Sequence, residues 1–431
     1  MTSRSVAVIA SLALFAAAGL SGCSKSDKAG EGAAAAGEEQ AAAAGKTTLT
    51  INANTSDPAP KAAIEELIRA FEAEHSDIQV KLNLFDHEAF KTSVRNFLST
   101  EAPDVITWYA GNRMKVFVDL GLLEDVSDVW AAADLKTQMA SAHGAMTING
   151  KQYGVPYTTY QWGIYYRKDI FEQHGVAPPQ TWDEFLAACK TLKAAGVTPI
   201  AIGTKFLWTA AGWFDHLNLR INGLEFHLDL MDGKVPYTDP RVVAVFDRWQ
   251  ELIDGDYFIA NHATYSWQEA QPFLIQGKAA MYLLGNFLVA NMPAEAQAKM
   301  GYLRFPVIDP AVEKFEEAPI DSFHIPSKAK NKDAARKFLA FAAQPAQQSA
   351  MNQTLGQLPL HSQAEVKDDR FLQAGAEVLR DVRGLSQFYD RDTPPDMAKL
   401  GMEGFQEFMV KPERRDAILE RLEKARQRIF E

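Results

Sequence analysis

Two short stretches follow runs that read as strands and carry side chains able to grip a polar ligand: Asn54 to Asp57 and Trp108 to Asn112. Amides and carboxylates exchange hydrogen bonds with hydroxyls, and an indole offers a flat apolar face. A third stretch, Tyr160-Gln161-Trp162, lies among Tyr153, Tyr157, Tyr165 and Tyr166, an aromatic-rich run whose pattern alone suits a strand core more often than a site. Such a mixture suits non-covalent binding. The motifs of covalent chemistry mostly fail. Gly45-Lys46-Thr47 ends like a phosphate-binding loop, but Gln40 stands where the first glycine is required. There is no HExxH, GxSxG or CxxC, and the nine histidines lack metal-ligand spacing. No carboxylate pair stands out as an acid/base couple. The sequence therefore predicts no catalytic residue, no metal and no cofactor.

The elements that would hold these side chains alternate. Thr47 to Asn52 reads as a strand, Lys61 to His75 as a helix, and Ile78 to Leu84 as a second strand. A helix around Phe90 to Leu98 and a strand at Val105 to Trp108 follow. This βαβαβ order predicts an open α/β sheet, in which ligands bind beyond the carboxyl ends of strands. Asn149-Gly150 is a hairpin turn, and Thr181 with Glu184 forms a capping box. Alternation continues through strands at Gly163–Arg167, Thr198–Gly203, Ala279–Leu284, Tyr302–Phe305 and Ser322–Ile325. Helices are predicted at Trp208–Arg220, Pro240–Asp254, Gln268–Gln276 and Gly285–Lys299, and after Asp369 the chain is mainly helical.

A chain of 431 residues is too long for one ordinary core, so two domains are expected. A net charge of −11 argues against nucleic acid as a partner. Arg4 and the apolar run Val6 to Leu20 have the form of an export signal, too short to span a membrane comfortably. Leu20-Ser21-Gly22-Cys23 resembles the lipobox of bacterial lipoproteins. That resemblance implies cleavage after residue 22 and a lipid on Cys23. Ser24 to Lys46 has the composition of a flexible tether, with a reach on the order of 25 Å. Cys189, the only other cysteine, falls at core spacing with Phe185 and Leu192 and reads as a buried apolar residue.

Several short motifs then occur in one order. They are Ala102-Pro-Asp-Val105 leading to Trp108, Asp119-Leu-Gly121, Gly150-Lys-x-Tyr-Gly-Val-Pro156, Tyr166-Arg-Lys-Asp-x-Phe171 and Pro179-x-Thr-Trp-Asp-Glu184. Gly277-Lys-Ala-Ala-Met281 with Gly285, Ala334-Ala-x-Lys-Phe338 and Leu358-Pro359 complete the series. Each is weak alone, but their collinearity over about residues 47 to 410 resembles the extracytoplasmic solute-binding proteins of carbohydrate ABC transporters. The resemblance implies a type II periplasmic-binding-protein fold. In that fold two α/β lobes, joined by three crossovers, close on a ligand by hinge motion. By position the first lobe takes 47–156 and 322–357, and the second takes 157–321 and 358–431.

The same resemblance implies a set of sugar contacts. Trp108 matches a sugar-stacking tryptophan, with Asn112 close by, and Asn54 and Asp57 follow the first strand. Tyr160, Gln161 and Trp162 lie just past the first crossover. Trp208, Trp213 and Trp267 supply second-lobe aromatics, and Asn286 and Phe287 replace a polar residue and a tryptophan of relatives. Asp321 and His324 lie at the second crossover, and Tyr389 would cap the cleft. The function implied is a monomeric, lipid-anchored receptor that binds a mono- or oligosaccharide at a membrane surface. It would deliver that ligand to ABC permease subunits. A receptor for another polar solute or polyol, and a surface glycoside hydrolase, are the alternative readings.

Overall fold

The computed structural model describes residues 45–431; the export signal and most of the tether fall outside the described residues. Two sheets organise the rest. The first contains β1 (Thr47–Ala53), β2 (Ile78–Leu84), β3 (Val105–Tyr109), β4 (Val155–Thr159) and, from much later in the chain, Ile320–His324. The second contains β5 (Trp162–Arg167), β6 (Thr198–Ala201), β7 (Ala279–Gly285) and β8 (Met300–Leu303). Ile320–His324 is β9. The first sheet runs β2-β1-β3-β9-β4, with β1 parallel to β2 and β3, and β9 antiparallel to both its neighbours. The second runs β8-β5-β7-β6.

Each sheet nucleates its own core. Leu49, Ile51, Val105, Ile106 and Phe323 of the first sheet pack against Ile64, Phe71, Phe338 and Leu339 of flanking helices. Ile164, Tyr165, Met281 and Leu283 of the second pack among Phe185, Trp213, Phe246, Phe405 and Leu422. The boundary between the two cores falls between Tyr157 and Tyr160 along the first crossover. On the second crossover it lies between Phe305 and Ile320, and on the third between Leu355 and Phe371. Two cores and three crossings make a two-lobed α/β molecule.

The local rules explain most elements. Asn149 and Gly150 both take positive φ, which a tight hairpin demands. Thr181 and Glu184 form both bonds of the capping box that opens helix Trp182–Ala194. Two expectations change. Gly285–Lys299 is not one helix: it comprises Phe287–Ala290 and Ala294–Lys299, separated around Pro293, whose missing N–H cannot continue the ladder. The helix from Trp208 runs on to Met231, beyond the predicted Arg220, across a kink at Gly223 with φ 77°. Cys189 is fully buried, and burial pushes its thiol up, away from nucleophilic character.

Candidate functional site

A cavity of about 110 Å³ lies where the two cores meet, walled from both sides. From the first lobe come Asn54, Thr55 and Asp57, directly after β1, and Tyr109 at the end of β3. His87 and Lys91 project from helix His87–Ser99, whose start is fixed by the Asp86 carboxylate accepting from the Glu88 and Ala89 amides. The crossovers supply Tyr157, Asp321, Leu355 and Gln357. From the second lobe come Tyr160, Trp208, Trp267, Phe287 and Phe388. Strand ends and helix starts leave backbone polar groups free, so both walls present donors and acceptors as well as rings.

The aromatic wall is ordered around Phe287. Its ring meets Tyr160 edge-on at 5.5 Å, Trp267 at 5.2 Å and Trp208 at 6.3 Å. Opposite it, the Arg391 guanidinium lies over the Tyr109 ring, 4.1 Å from the centroid. Arg391 also pairs with Asp321 at 2.9 Å and donates to the Ile320 carbonyl and the Tyr160 hydroxyl. One side chain thus ties Tyr109, Asp321 and Tyr160 into a single surface. Burial drives Asp390 toward the neutral form. Arg113, at 2.8 Å, together with Lys91 and Arg391, overrides it and holds the carboxyl down at about 2.

One histidine and three tyrosines around the cavity are held neutral. Burial, reinforced by Lys91 and Arg391, pushes the His87 imidazole well below its usual range. Burial likewise raises Tyr109, Tyr157 and Tyr160, so all three are hydroxyls at neutral pH. Asn54 bonds Tyr109 and Thr107, and Tyr109 in turn meets His87 at 3.2 Å. The surface offers hydroxyls, amides and rings, with Arg391 paired to Asp321 and Lys91 to Glu88, and with the Asp57 carboxyl beside them. Such groups can exchange hydrogen bonds with hydroxyls and stack on apolar faces. Among the described residues no three His, Cys, Asp or Glu side chains are placed to hold a metal ion.

Of the residues singled out by sequence, Asn54, Asp57, Tyr160, Trp208, Trp267, Phe287 and Asp321 line this cavity. The other eight lie outside its lining. Trp108 packs into the first core, 4.7 Å from Tyr109, with its indole donating to the Arg113 carbonyl. A strand alternates its side chains, so a one-residue step separates core from cavity here. Trp162 is 1% exposed and lies behind the wall against Phe388 and Trp208. Gln161 is spent on the Phe371 carbonyl, and Trp213 sits in the second core. Asn286 accepts from Tyr165 and donates to the Gly356 carbonyl; Asn112 donates to the Asp392 carbonyl. His324 is fully buried between Ser322 and the Tyr153 carbonyl, and Tyr389 bonds Tyr237.

Sequence reasoning passed over Tyr109, Tyr157, His87, Lys91, Gln357, Phe388, Asp390 and Arg391. Tyr109 adjoins Trp108 inside a stretch already suspected, so one step along the strand finds it, whereas Tyr157 on the strand before Tyr160 adjoins no suspected residue. Arg391 carries no such signal: it reaches the cavity only because helix Tyr389–Asp392 is packed beside the first lobe.

Residues 52–349 match the family described as bacterial extracellular solute-binding protein. The chain belongs to that family. Among solved structures, this solute-binding protein superposes on the bacterial solute receptor AcbH with a TM-score of 0.84 and 31% identity, covering 90% of this chain and 100% of that one. AcbH is described as having an exclusive preference for β-D-galactopyranose. An uncharacterized ABC transporter extracellular-binding protein of Pyrococcus horikoshii is 27% identical over 308 residues, which is 69% of this chain and 68% of that one. The melibiose/raffinose/stachyose-binding protein MelE of Bacillus subtilis is 29% identical over 157 residues, covering 36% and 35% of the two chains. The two-lobed type II fold is therefore shared with characterised receptors, and the lobes of this solute-binding protein are those of a binding protein, not an enzyme.

Proposed function

We propose that this solute-binding protein is the receptor of an ABC importer and that it binds one pyranose sugar in the interlobe cavity. The observation that carries the reading is the cavity's size and lining together. About 110 Å³ is room for several waters or one small ring. The rings of Trp208, Trp267 and Phe287 suit the apolar face of a pyranose. Asn54, Asp57, Asp321 and Gln357 suit its hydroxyls. A longer saccharide would need the lobes to part further. The likeness to a galactopyranose receptor supports a monosaccharide. The names of relatives support transport.

Cys23 as a lipid anchor and residues 24–46 as a tether complete the proposal. A lipid and a tether would keep the receptor near its permease without a spanning helix; among the described residues no helix is long and apolar enough to cross a membrane. The test is calorimetric titration of the purified chain with β-D-galactopyranose, then with other monosaccharides, raffinose and small polyols. Micromolar or tighter binding of a monosaccharide is expected. Binding of raffinose but no monosaccharide would overturn the single-ring reading, and silence toward every sugar would overturn the function. Cys23→Ser is expected to lose membrane association, and retention of wild-type association would overturn the anchor.

A further inference from the structure

Thr158, Asn352 and Gln357 meet where the first and third crossovers run side by side, joined by Thr159–Leu358 backbone bonds of 3.0 and 2.9 Å. The Thr158 Oγ1 lies 2.6 Å from Asn352 Oδ1 and 2.9 Å from Gln357 Oε1. A hydroxyl has one proton to give, and here two oxygens face it. The Asn352 amide is immobile. Its Nδ2 donates to the Tyr157 and Gln348 carbonyls, both at 2.8 Å, so its oxygen must be the atom that faces Thr158. Gln348 is itself held, donating to the Pro156 carbonyl at 3.0 Å and accepting from the Leu360 amide. The Thr158 proton is therefore committed to Asn352.

An oxygen of Gln357 at the second position would set lone pair against lone pair inside a buried site, which costs free energy. A half-turn of the terminal amide removes the conflict, because its nitrogen and oxygen occupy nearly the same places. Nε2 then donates to Thr158 Oγ1, and Oε1 turns to the cavity that Gln357 lines.

We propose that Gln357, oriented by Thr158, turns its amide oxygen to the ligand as a hydrogen-bond acceptor, and so selects for a hydroxyl that donates at one ring position. The inference rests on the sugar reading and deepens it. A hydroxyl satisfies Oε1; fluorine and methoxy groups, which cannot donate, do not. The contact also has a mechanical side. Gln357 follows the third crossover's Gly356 and Thr158 lies on the first, so the ligand hydroxyl is bonded to a side chain that already links two of the three hinge segments.

Neutron diffraction from deuterated crystals of the wild-type protein grown without sugar decides the orientation directly. Two deuterons on the Gln357 atom nearest Thr158, and the Thr158 deuteron pointing at Asn352, are expected. A bare oxygen there overturns the proposal. Calorimetry with β-D-galactopyranose and its monodeoxy and monofluoro forms tests the consequence. At one position fluorine is expected to lose at least as much affinity as deoxygenation, tenfold or more, and both losses are expected to vanish in Gln357→Met. Fluorine tolerated at every position, or a loss that persists in Gln357→Met, overturns the selection rule. If no form of the sugar binds, the sugar reading has failed, while the neutron result still judges Gln357.

Discussion

The indole Nε1 of Trp208 donates to the Glu88 carboxylate at 3.0 Å, joining a side chain of the second lobe to one of the first across the cavity. Lys91 completes the arrangement, 3.5 Å from Glu88 and 5.8 Å from the Trp208 ring centroid. This is a direct bond between the walls. A bond that exists only when the walls meet slows their separation.

Trp208→Phe keeps an aromatic face but loses that bond. Its expected effect on galactopyranose binding is about a 3- to 10-fold loss, from roughly 1 kcal/mol of hydrogen bond, appearing in the dissociation rate. Stopped-flow tryptophan fluorescence would read it. An unchanged dissociation rate would show that the Trp208–Glu88 bond does not hold the lobes together.

Arg391 is the centre of the cavity's charge arrangement, and its removal leaves the half-buried Asp321 carboxylate without its partner. Arg391→Met is expected to cost about 3–5 kcal/mol in urea denaturation and to abolish sugar binding. Adding Asp321→Asn is expected to restore part of the stability, because the uncompensated charge is gone. Equal stability of the single and double variants would refute the pairing.

Asp215 and Glu317 are fully buried neighbours, and two carboxyl groups so close and so far from water do not both ionise. Burial pushes Asp215 up to about 8, and burial with the Asp215 charge raises Glu317 well above its usual range. Around them stand the neutral His216, the Tyr389 amide that donates to Asp215, and the Asp390 and Asp392 charges, which raise the pair further. The folded state binds this proton more tightly than the unfolded chain. Its contribution is therefore fully present below pH 3.8, the unperturbed value, and is lost as pH rises toward 8. The slope is at most about 1.4 kcal/mol per pH unit for one proton. Asp215→Asn keeps a donor toward Glu317 and is expected to flatten the decline, seen by urea denaturation at acid and alkaline pH. A variant whose stability falls as steeply as wild type would remove the pair from the account.

Trp108 and Tyr109 separate stability from binding. Trp108→Ala empties a place in the first core and is expected to cost about 3–5 kcal/mol, whereas Trp108→Phe is expected to leave sugar affinity unchanged. Tyr109→Ala removes a cavity wall and the ring beneath Arg391, and is expected to abolish binding. Calorimetry on the folded variants checks both; a large affinity loss in Trp108→Phe would return the indole to the site.

These pairs also show what a sequence reveals. Period and punctuation located most strands and the longer helices, since hydrophobic spacing and caps such as Thr181 with Glu184 act within a few residues, but missed the short helices between Asn112 and His143. Residue chemistry pointed to rings and amides at strand ends, and Asn54, Tyr160, Trp208 and Phe287 do meet at one cavity. Which ring of a neighbouring pair faces that cavity is settled by packing at long range. Trp162 is pressed against Gly212, where a Cβ would come within 2.4 Å of the indole, so the ring is built into the wall while Tyr160 shows its face. Arg391 was invisible for the same reason, its neighbours Tyr109 and Asp321 being distant in sequence.

The position of β9 has a consequence for biosynthesis. It is an inner strand of the first sheet, inserted between β3 and β4, yet it is made only after the whole second sheet. Until the ribosome reaches His324, β3 and β4 each present a bare edge with no mate, and the first lobe cannot close. Native structure must therefore come late, through contacts of long sequence separation. The first lobe thus stays open while most of the chain is made, and a fragment ending before Ile320 should aggregate through those two edges.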